Sequence, residues 1–299
     1  MKHIKLLYLF LLISWSSLPL QAADYLLQSP NGKLTVEIET KGQLSYTLKH
    51  NSQTLLDKSP IGLLLEDKIL GEDIKISRIK RNSSVKEHIV SPHYRLPSFE
   101  VTYNELNLKF KGNYGIIFRA YNEGIAYRFY TTMKGPLIIK DEMVQMNFPK
   151  DYPTFMSYST MPTGEDQYAM AFQNLYTKSS IKGVDTNNIA FLPITIDCGN
   201  ELKMTLLESD LEDYPGMFIK GDGKNTSLQG TFAHYPSEIK NFPPRAMKRI
   251  TKRTDYIART TGERNYPWRI WAITEKDTEM PVNNLVYALA SPNRIGDCS

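Results

Sequence analysis

The sequence predicts an all-β protein, a large β supersandwich made of two packed sheets. Three observations predict this class. Short segments in which apolar and polar residues alternate recur along the chain, clusters rich in Gly and Asn separate them, and no long apolar stripe at helical spacing accompanies them. This texture is typical of packed sheets and argues against an α/β barrel.

The first pair of strands is predicted from residues 33–40 (KLTVEIET) and 43–50 (QLSYTLKH), which are separated by a Lys-Gly turn. Leu34, Val36 and Ile38 alternate with polar neighbours, so they are expected on one buried face of an opening hairpin. Residues 81–90 fit a strand as well as a helix. Further strands are predicted in residues 61–67, 106–112, 114–132, 189–198, 202–208 and 268–275.

The best helical candidate is residues 280–292, MPVNNLVYALASP. A helix there would place four apolar residues, Val282, Leu285, Val286 and Leu289, on one face. One short helix near the end does not change the predicted class. Because no Ser/Gly/Pro-rich linker and no repeat of fixed period interrupts the chain, we expect a single large domain after the leader.

The N-terminus has the order of a secretory signal. Lysines at the start are followed by an apolar stretch over residues 6–20 and by small residues at Ala22 and Ala23. The apolar stretch is shorter than the roughly 20 residues that a membrane-spanning helix needs. We therefore expect a cleaved signal peptide over residues 1–22 and a periplasmic mature chain, 23–299, without a membrane span.

The net charge argues against a nucleic-acid partner. The formal charge of +4 falls to +2 when Lys2 and Lys5 leave with the leader. The one basic cluster of note, residues 245–253 (RAMKRITKR), lacks interleaved aromatic residues for stacking on bases and matches no helix-turn-helix or zinc-finger pattern. We interpret this cluster as a solvated face.

The two cysteines, Cys198 and Cys298, match neither a CxxC nor a zinc-binding spacing. We interpret Cys198 as a small buried hydrophobic residue. The chain also lacks GxGxxG, GxSxG and HExxH motifs, which leaves carboxylates as the candidates for chemistry.

Hydrolysis of a glycosidic bond requires two carboxylates that flank the bond. The candidates are Glu123, Glu165 with Asp166, the acidic residues within 208–213, and Glu263. Their spacing in the sequence favours none of them, and most exposed carboxylates belong to a solvated face.

Glu208 differs from the other candidates in its position. In a strand over residues 202–208, Leu202, Met204 and Leu206 point to one side, and Glu208 leaves this core row at the strand's end. A carboxylate held there is a hard oxygen donor that suits calcium. Because calcium normally takes about 6 to 8 oxygen ligands, the site would be incomplete in this chain.

Aromatic residues precede the C-terminal strand. Tyr266 is followed by Trp268 and Trp271, which we expect on one face of their strand. They would fill the core between sheets or stack on a sugar, and the core is favoured because large aromatic residues usually fill it.

Five segments together resemble the N-terminal region of glycoside hydrolase family 97. They are, in chain order, SPNGKLTVEI (29–38), YNEGIAYRF (121–129), LLESDLEDYPGM (206–217), TTGERNYPWRIWAI (260–273) and LASPNRIGD (289–297). The family includes periplasmic α-glucosidases of starch-utilisation systems and α-galactosidases. The resemblance covers nearly the whole mature chain and implies an N-terminal β supersandwich followed by a catalytic (β/α)8 barrel and a small C-terminal β domain.

The resemblance also implies where the chemistry lies. In the family the catalytic carboxylates belong to the barrel, and a calcium ion near the substrate is held partly by a glutamate of the N-terminal domain. Glu208 in LLESDLEDYPG is the residue that we match to this ligand, with Glu123 in YNEGIAYRF as its rival. The chain ends at GDCS, where the barrel would begin, so we expect no catalytic residue here and no hydrolysis by this chain alone.

Three functions remain open. The first is the N-terminal domain of a calcium-dependent, exo-acting α-glycosidase, which lends a metal ligand and a wall of the pocket for an α-linked oligosaccharide to the barrel. The second is a non-catalytic periplasmic carbohydrate-binding β-sandwich. The third is a structural remnant whose unpartnered apolar face would promote association. The choice between glucosides and galactosides, and between inversion and retention, would lie on the barrel.

Overall fold

The computed structural model describes residues 24–91, 94–159, 166–169, 172–243 and 247–292. The expected signal peptide and Cys298 lie outside these ranges. No helix among the described residues is both long and apolar enough to span a membrane.

Strands dominate the described ranges, and the all-β prediction is confirmed. The strands are β1 Tyr25–Gln28, β2 Leu34–Glu39, β3 Ser45–His50, β4 Gln53–Leu65, β5 Ile69–Leu70, β6 Ile76–Val90, β7 Ser98–Phe110, β8 Tyr114–Tyr121, β9 Gly124–Asn147, β10 Pro153–Tyr158, β11 Thr177–Ser180, β12 Ala190–Asp197, β13 Lys203–Ser209, β14 Met217–Gly221, β15 Ser227–Phe232, β16 Pro236–Phe242, β17 Met247–Arg253, β18 Ala258–Asn265 and β19 Trp268–Thr274. Short 3-10 helices occupy Gln167–Ala169, Ile181–Gly183 and Asp277–Val282, and α1 spans Leu285–Leu289.

The predicted opening hairpin is present. Strands β2 and β3 pair antiparallel, with Val36 opposite Leu48. Leu34, Val36 and Ile38 are buried on one face, as the alternation of apolar and polar residues requires. Each of the other predicted strand segments also contains a strand, and the ambiguous residues 81–90 belong to β6.

The long strand β9 connects most of the sheet. Its first part pairs with β8 and β19, and its second part pairs with β4 and β15. Gly124 begins β9 with φ +156°, and a Cβ there would stand 2.3 Å from the carbonyl oxygen of Trp271. Only glycine permits this close approach of the β8–β9 turn to β19.

The main core lies between strands that face one another without sharing hydrogen bonds. Trp271 of β19 donates a hydrogen bond from Nε1 to the Tyr46 hydroxyl of β3 over 2.9 Å, and both side chains are buried. The Tyr46 ring also packs against Phe118 and Tyr127. Strands β3 and β19 therefore belong to opposite layers that pack face to face, as in a sandwich.

A second core covers the outer face of β19. Trp268, Ile270 and Ala272 pack there with Tyr121 of β8 and with Leu285 of α1. The small helix thus closes one side of this core.

The prediction that Trp268 and Trp271 share one face is wrong. Trp268 lies in the second core and Trp271 in the main core. Side chains alternate between faces along a strand, so residues three positions apart point in opposite directions. Both indoles are buried, which confirms their interpretation as core residues.

The predicted helix over residues 280–292 is much shorter than expected. The helix α1 has five residues, and Pro281 ends up in the preceding 3-10 helix, which stops at Val282. Asn283 then adopts an extended backbone, φ −64° and ψ 130°, which interrupts the helical path. Val282 is half exposed as a result and does not join the predicted apolar face.

Two smaller predictions are confirmed. Cys198 is a buried free cysteine, and burial raises the pKa of its thiol to about 12. In the basic cluster, β17 pairs with β16 in a separate two-stranded sheet whose described side chains are mostly exposed. We call this pair the basic hairpin.

Candidate functional site

Glu208 continues the buried row of β13. Met204 and Leu206 are fully buried in the main core, and Glu208 follows them at the end of the strand. Its neighbour across the ladder is Arg269 of β19. The glutamate side chain keeps only 13% of its surface exposed, so it lies at the rim of the core and not in bulk water.

Arg269 joins Glu208 to a second buried carboxylate. The guanidinium donates from Nε and Nη2 to the two oxygens of Glu142, over 2.8 and 2.7 Å. Its Nη1 donates to Glu208 Oε2 over 2.6 Å. Arg269 is 1% exposed and its aliphatic and charged parts are enclosed, with the guanidinium 5.1 Å from the centre of the Phe232 ring. We call Glu142, Arg269 and Glu208 the buried cluster.

With both carboxylates ionised, the buried cluster carries one negative charge in excess, because two carboxylates surround one guanidinium. Burial raises the pKa of Glu208, and the charge of Arg269 offsets this only partly. Burial opposes the charged form of Arg269, but Glu142 and Glu208 outweigh it and raise the pKa of the guanidinium. The cluster is therefore a site in which a further positive charge would be stabilised.

The backbone of β14 makes the remaining contact with Glu208. The Met217 N–H donates to Oε2 over 3.0 Å and to Oε1 over 3.2 Å. A Cβ at Gly216 would stand 3.2 Å from Oε1, so this glycine keeps the space beside that oxygen open. Oε2 thus accepts hydrogen bonds from Arg269 and from the Met217 N–H. Oε1 accepts only the longer branch of the bifurcated hydrogen bond from the same N–H.

The other acidic residues of the segment surround a separate polar cavity. Asp210 accepts a hydrogen bond from Arg128 Nη2 over 2.9 Å, and both side chains are 9% exposed. Asp210 and Asp213 adopt positive φ values of 65° and 47°, which short Asp side chains tolerate in turns. The cavity has a volume of about 280 Å³ and is lined by residues that include Arg128, Asp210, Glu212, Asp213 and Arg264.

The remaining candidate carboxylates lie elsewhere. The carbonyl of Glu123 accepts from the Ile273 N–H over 2.9 Å, and Ile273 is four residues along β19 from Arg269. Four residues of extended strand span about 13 Å, so Glu123 and Glu208 lie at different ends of β19. Burial raises the pKa of Glu123.

Asp166 belongs to a partly buried ion pair, and Glu263 lies on the surface. Asp166 accepts from Arg253 Nε and Nη2 over 2.8 and 2.6 Å. Glu263 is exposed on β18. Glu165 lies outside the described residues.

Sequence reasoning missed Glu142 and Arg269. Arg269 is embedded in WRIWAI, which is buried along its whole length. An arginine inside an unbroken apolar strand is the signal that could have identified it, because such a side chain must find a buried acidic partner. Glu142 carries no comparable signal, since its neighbours in β9 alternate between buried and exposed positions.

Comparison with known proteins identifies the family of this domain. The family model described as glycosyl-hydrolase 97 N-terminal matches residues 27–292. The chain belongs to this family. The resemblance carried by the five sequence segments is confirmed.

Relatives of the glycosyl-hydrolase 97 N-terminal family agree with this assignment. A retaining alpha-galactosidase from Bacteroides thetaiotaomicron is 35% identical over 99% of this chain. A glycoside hydrolase family 97 enzyme from Pseudoalteromonas sp. strain K8, solved in complex with acarbose, superposes with a TM-score of 0.73 at 18% identity, over 91% of this chain. A beta-arabinopyranosidase superposes with a TM-score of 0.69 at 16% identity, over 85% of this chain.

The chain spans less than half of each relative. It covers 45% of the Bacteroides protein, 39% of the Pseudoalteromonas enzyme and 40% of the beta-arabinopyranosidase. The two structural likenesses, both below 20% identity, establish the fold of this domain.

The buried cluster offers one oxygen that is chemically suited to a cation. Among the residues that the structure describes, no group of three or more His, Cys, Asp or Glu could hold a metal ion. Glu208 nevertheless offers a hard oxygen, Oε1, with one long hydrogen bond and open space at Gly216. A carboxylate with these features can contribute a single oxygen to a hard cation.

Proposed function

We propose that this chain is the N-terminal domain of a calcium-dependent, exo-acting α-glycosidase. In this proposal Glu208 lends one ligand to a calcium ion that is otherwise held by a catalytic (β/α)8 barrel. The domain also forms one wall of the pocket for an α-linked oligosaccharide. The observation that carries the proposal is Glu208 itself, a carboxylate at the rim of the core with a lightly used oxygen and an excess of negative charge around it.

A calcium ion at this place would supply positive charge beside the substrate. Glu208 would hold it through Oε1, while Arg269 and the Met217 N–H keep Oε2 in place. The excess charge of the buried cluster supports a cation here, because a neighbouring positive charge favours the ionised form of a buried carboxylate.

The substrate that we favour is an α-galactoside. The support is the Bacteroides relative, which is named a retaining alpha-galactosidase and is 35% identical over nearly the whole chain. An α-glucoside is the alternative. Export to the periplasm through the leader at residues 1–22 is part of the proposal, since its charged start, apolar middle and small residues at the end match a secretory signal.

The test begins with the reading frame beyond codon 299. The longer and the present chain are both expressed and assayed with p-nitrophenyl α-galactoside and α-glucoside, with and without a calcium chelator. We expect the longer chain to be active, to lose activity with chelator and to be impaired by Glu208→Ala, whereas the matched variant Glu123→Ala retains calcium dependence. Hydrolysis by the present chain alone, or a Glu208→Ala enzyme with unchanged calcium dependence, would contradict the proposal.

A second candidate function is a carbohydrate-binding sandwich, and one observation favours it. A groove of about 610 Å³ follows the outer face of β12 and β13, and Phe155, Tyr176 and Tyr287 line it. Tyr176 is 52% exposed, and Tyr287 stacks on Tyr94 with ring centres 3.5 Å apart. Exposed aromatic rings of this kind offer flat faces to a sugar ring.

Calorimetric titration of the mature chain with maltooligosaccharides and galactooligosaccharides tests this second function. Binding that is abolished by Tyr176→Ala and kept by Tyr256→Ala, a tyrosine away from the groove, would support it. No heat of binding with either sugar series would exclude it for these ligands.

A further inference from the structure

The hydrogen bonds of Arg269 are divided unequally between its two carboxylates. Glu142 takes the side of the guanidinium that carries Nε and Nη2 and binds it through both oxygens, at 2.8 and 2.7 Å. Glu208 receives only Nη1 and uses only Oε2, at 2.6 Å. A guanidinium often binds one carboxylate through two parallel hydrogen bonds, and here that carboxylate is Glu142.

Stability alone gives no reason for this arrangement. Removing three ions from water carries a large desolvation cost, and apolar replacements of buried ion networks are often neutral or stabilising. The cluster is also unbalanced, with two negative charges and one positive. A single glutamate would leave Nη1 of Arg269 without an acceptor, but a neutral oxygen could fill that role, so the charge of the second carboxylate requires its own explanation.

The consequence for Glu208 is that its two oxygens differ. Oε2 is fixed by Arg269 and by the shorter bond from the Met217 N–H, 3.0 Å long. Oε1 has the longer bond from the same N–H, 3.2 Å, and faces the space that Gly216 leaves open. One oxygen is anchored and the other keeps lone pairs for a ligand.

We propose that Arg269 and Glu142 are positioning residues for Glu208. Arg269 anchors Oε2, and Glu142 holds the guanidinium so that it cannot turn its two-pronged side onto Glu208 and capture both oxygens. Glu208 is thereby oriented, with one oxygen anchored and the other lightly bonded. The identity of the cation that Oε1 would bind rests on the proposed function, whereas the positioning itself is a property of this chain alone.

The Met217 amide is a local reporter of this positioning. Because its N–H is bonded to the Glu208 carboxylate, its hydrogen exchange depends on whether that carboxylate stays in place. The experiment measures amide exchange by NMR in the mature chain, 23–299, without added metal. The amides of β12, which pairs with both β13 and β14, report the stability of the surrounding sheet.

The first variant is Arg269→Lys, which retains the charge but cannot bridge both carboxylates with a rigid fork. We expect the protection of the Met217 amide to fall about tenfold more than that of the β12 amides. The matched control is Arg119→Lys, which weakens another arginine–glutamate pair, Arg119 with Glu105 at 2.9 Å. It should change Met217 and β12 by the same factor. Equal losses at Met217 and β12 in Arg269→Lys would show a purely structural role and overturn the proposal.

The second variant, Glu142→Gln, keeps the proposal testable if Arg269→Lys does not fold. Its crystal structure should show the guanidinium rotated onto Glu208, with donors within hydrogen-bonding distance of both Oε1 and Oε2. An unchanged single contact from Nη1 to Oε2 would overturn the role of Glu142.

The outcome is separable from that of the proposed function. If the extended enzyme kept its calcium dependence with Glu208→Ala, the proposed function would fail, yet selective loss of protection at Met217 in Arg269→Lys would still support the positioning. Conversely, an enzyme that needs Glu208 and calcium but shows no selective loss at Met217 would retain the function and refute the positioning.

Discussion

Two glutamates of this domain, Glu208 in β13 and Glu238 in β16, each accept hydrogen bonds from cationic side chains. Their pKa values are nevertheless shifted in opposite directions. Glu208 accepts from Arg269, and burial nevertheless raises its pKa. Glu238 is bonded by Lys240 and Lys252 on the basic hairpin, and these hydrogen bonds lower its pKa to about 2.

The difference shows that contact with a cation does not by itself decide whether the pKa of a carboxylate is raised or lowered. The access of the carboxylate to water decides it. Glu238 gains from its lysines at almost no desolvation cost, since the hairpin is exposed. At Glu208 the loss of water exceeds what Arg269 returns, in part because Glu142 shares the same guanidinium. Removing a charge should therefore change the stability of the fold in the buried cluster much more than in the basic hairpin.

The largest expected effect comes from removing the cation of the buried cluster. Arg269→Met leaves Glu142 and Glu208 together without their cation, so the free energy of unfolding should fall by about 3–5 kcal/mol. Urea denaturation followed by fluorescence measures it. The matched surface variant, Lys252→Met on the basic hairpin, should leave the denaturation midpoint unchanged. A loss below about 1 kcal/mol for Arg269→Met would show that the buried cluster behaves like a surface ion pair.

A second buried pair sharpens the comparison, because it has one carboxylate for one arginine. Asp210→Asn removes the charge that faces Arg128 and weakens a hydrogen bond of 2.9 Å. The free energy of unfolding should fall by about 1–3 kcal/mol, less than for Arg269→Met, since the Tyr266 carbonyl still accepts from Arg128. The same denaturation experiment decides the order, and a larger loss for Asp210→Asn would reverse it.

The pH dependence of Glu208 provides a third test. Its folded pKa is raised above the ordinary value of 4.5, so the ionised carboxylate costs stability in the fold. That cost is absent below pH 4.5 and grows as the pH rises through the folded pKa. Relative to the native chain, Glu208→Gln should therefore gain stability between acid and neutral pH. Denaturation series at several pH values measure the difference, and a constant difference across the series would contradict the raised pKa.

The smallest effect concerns Glu238. Its folded pKa is lowered to about 2, so its contribution is present above the ordinary value of 4.5 and is lost as the pH falls toward 2. Because the group is partly exposed on a hairpin whose other side chains are mostly exposed, salt should screen it. A carboxyl NMR titration in about 1 M NaCl should move this pKa back toward its ordinary value, whereas the pKa of Glu208 should respond less. Equal salt responses would remove the distinction between the two sites.

Much of the fold was accessible from the alternation of residues. Leu34, Val36 and Ile38 predicted the buried face of the opening hairpin, and Met204 and Leu206 placed Glu208 at the end of a core row. The prediction that Trp268 and Trp271 share one face was wrong. Strand periodicity already excludes a shared face, because residues three positions apart point in opposite directions. It was also wrong in the length of the C-terminal helix, where Pro281 and Asn283 changed the path of the backbone.

The sequence by itself determined the all-β class, the family and the position of Glu208 along β13, because these depend on periodicity and on residues that are close in the chain. Only the tertiary structure decided what surrounds Glu208. Glu142, Glu208 and Arg269 come from three strands that are far apart in sequence, and no local pattern encodes their meeting. The two layers had to pack before burial, the shared guanidinium and the space at Gly216 could give one carboxylate an anchored oxygen and a free one.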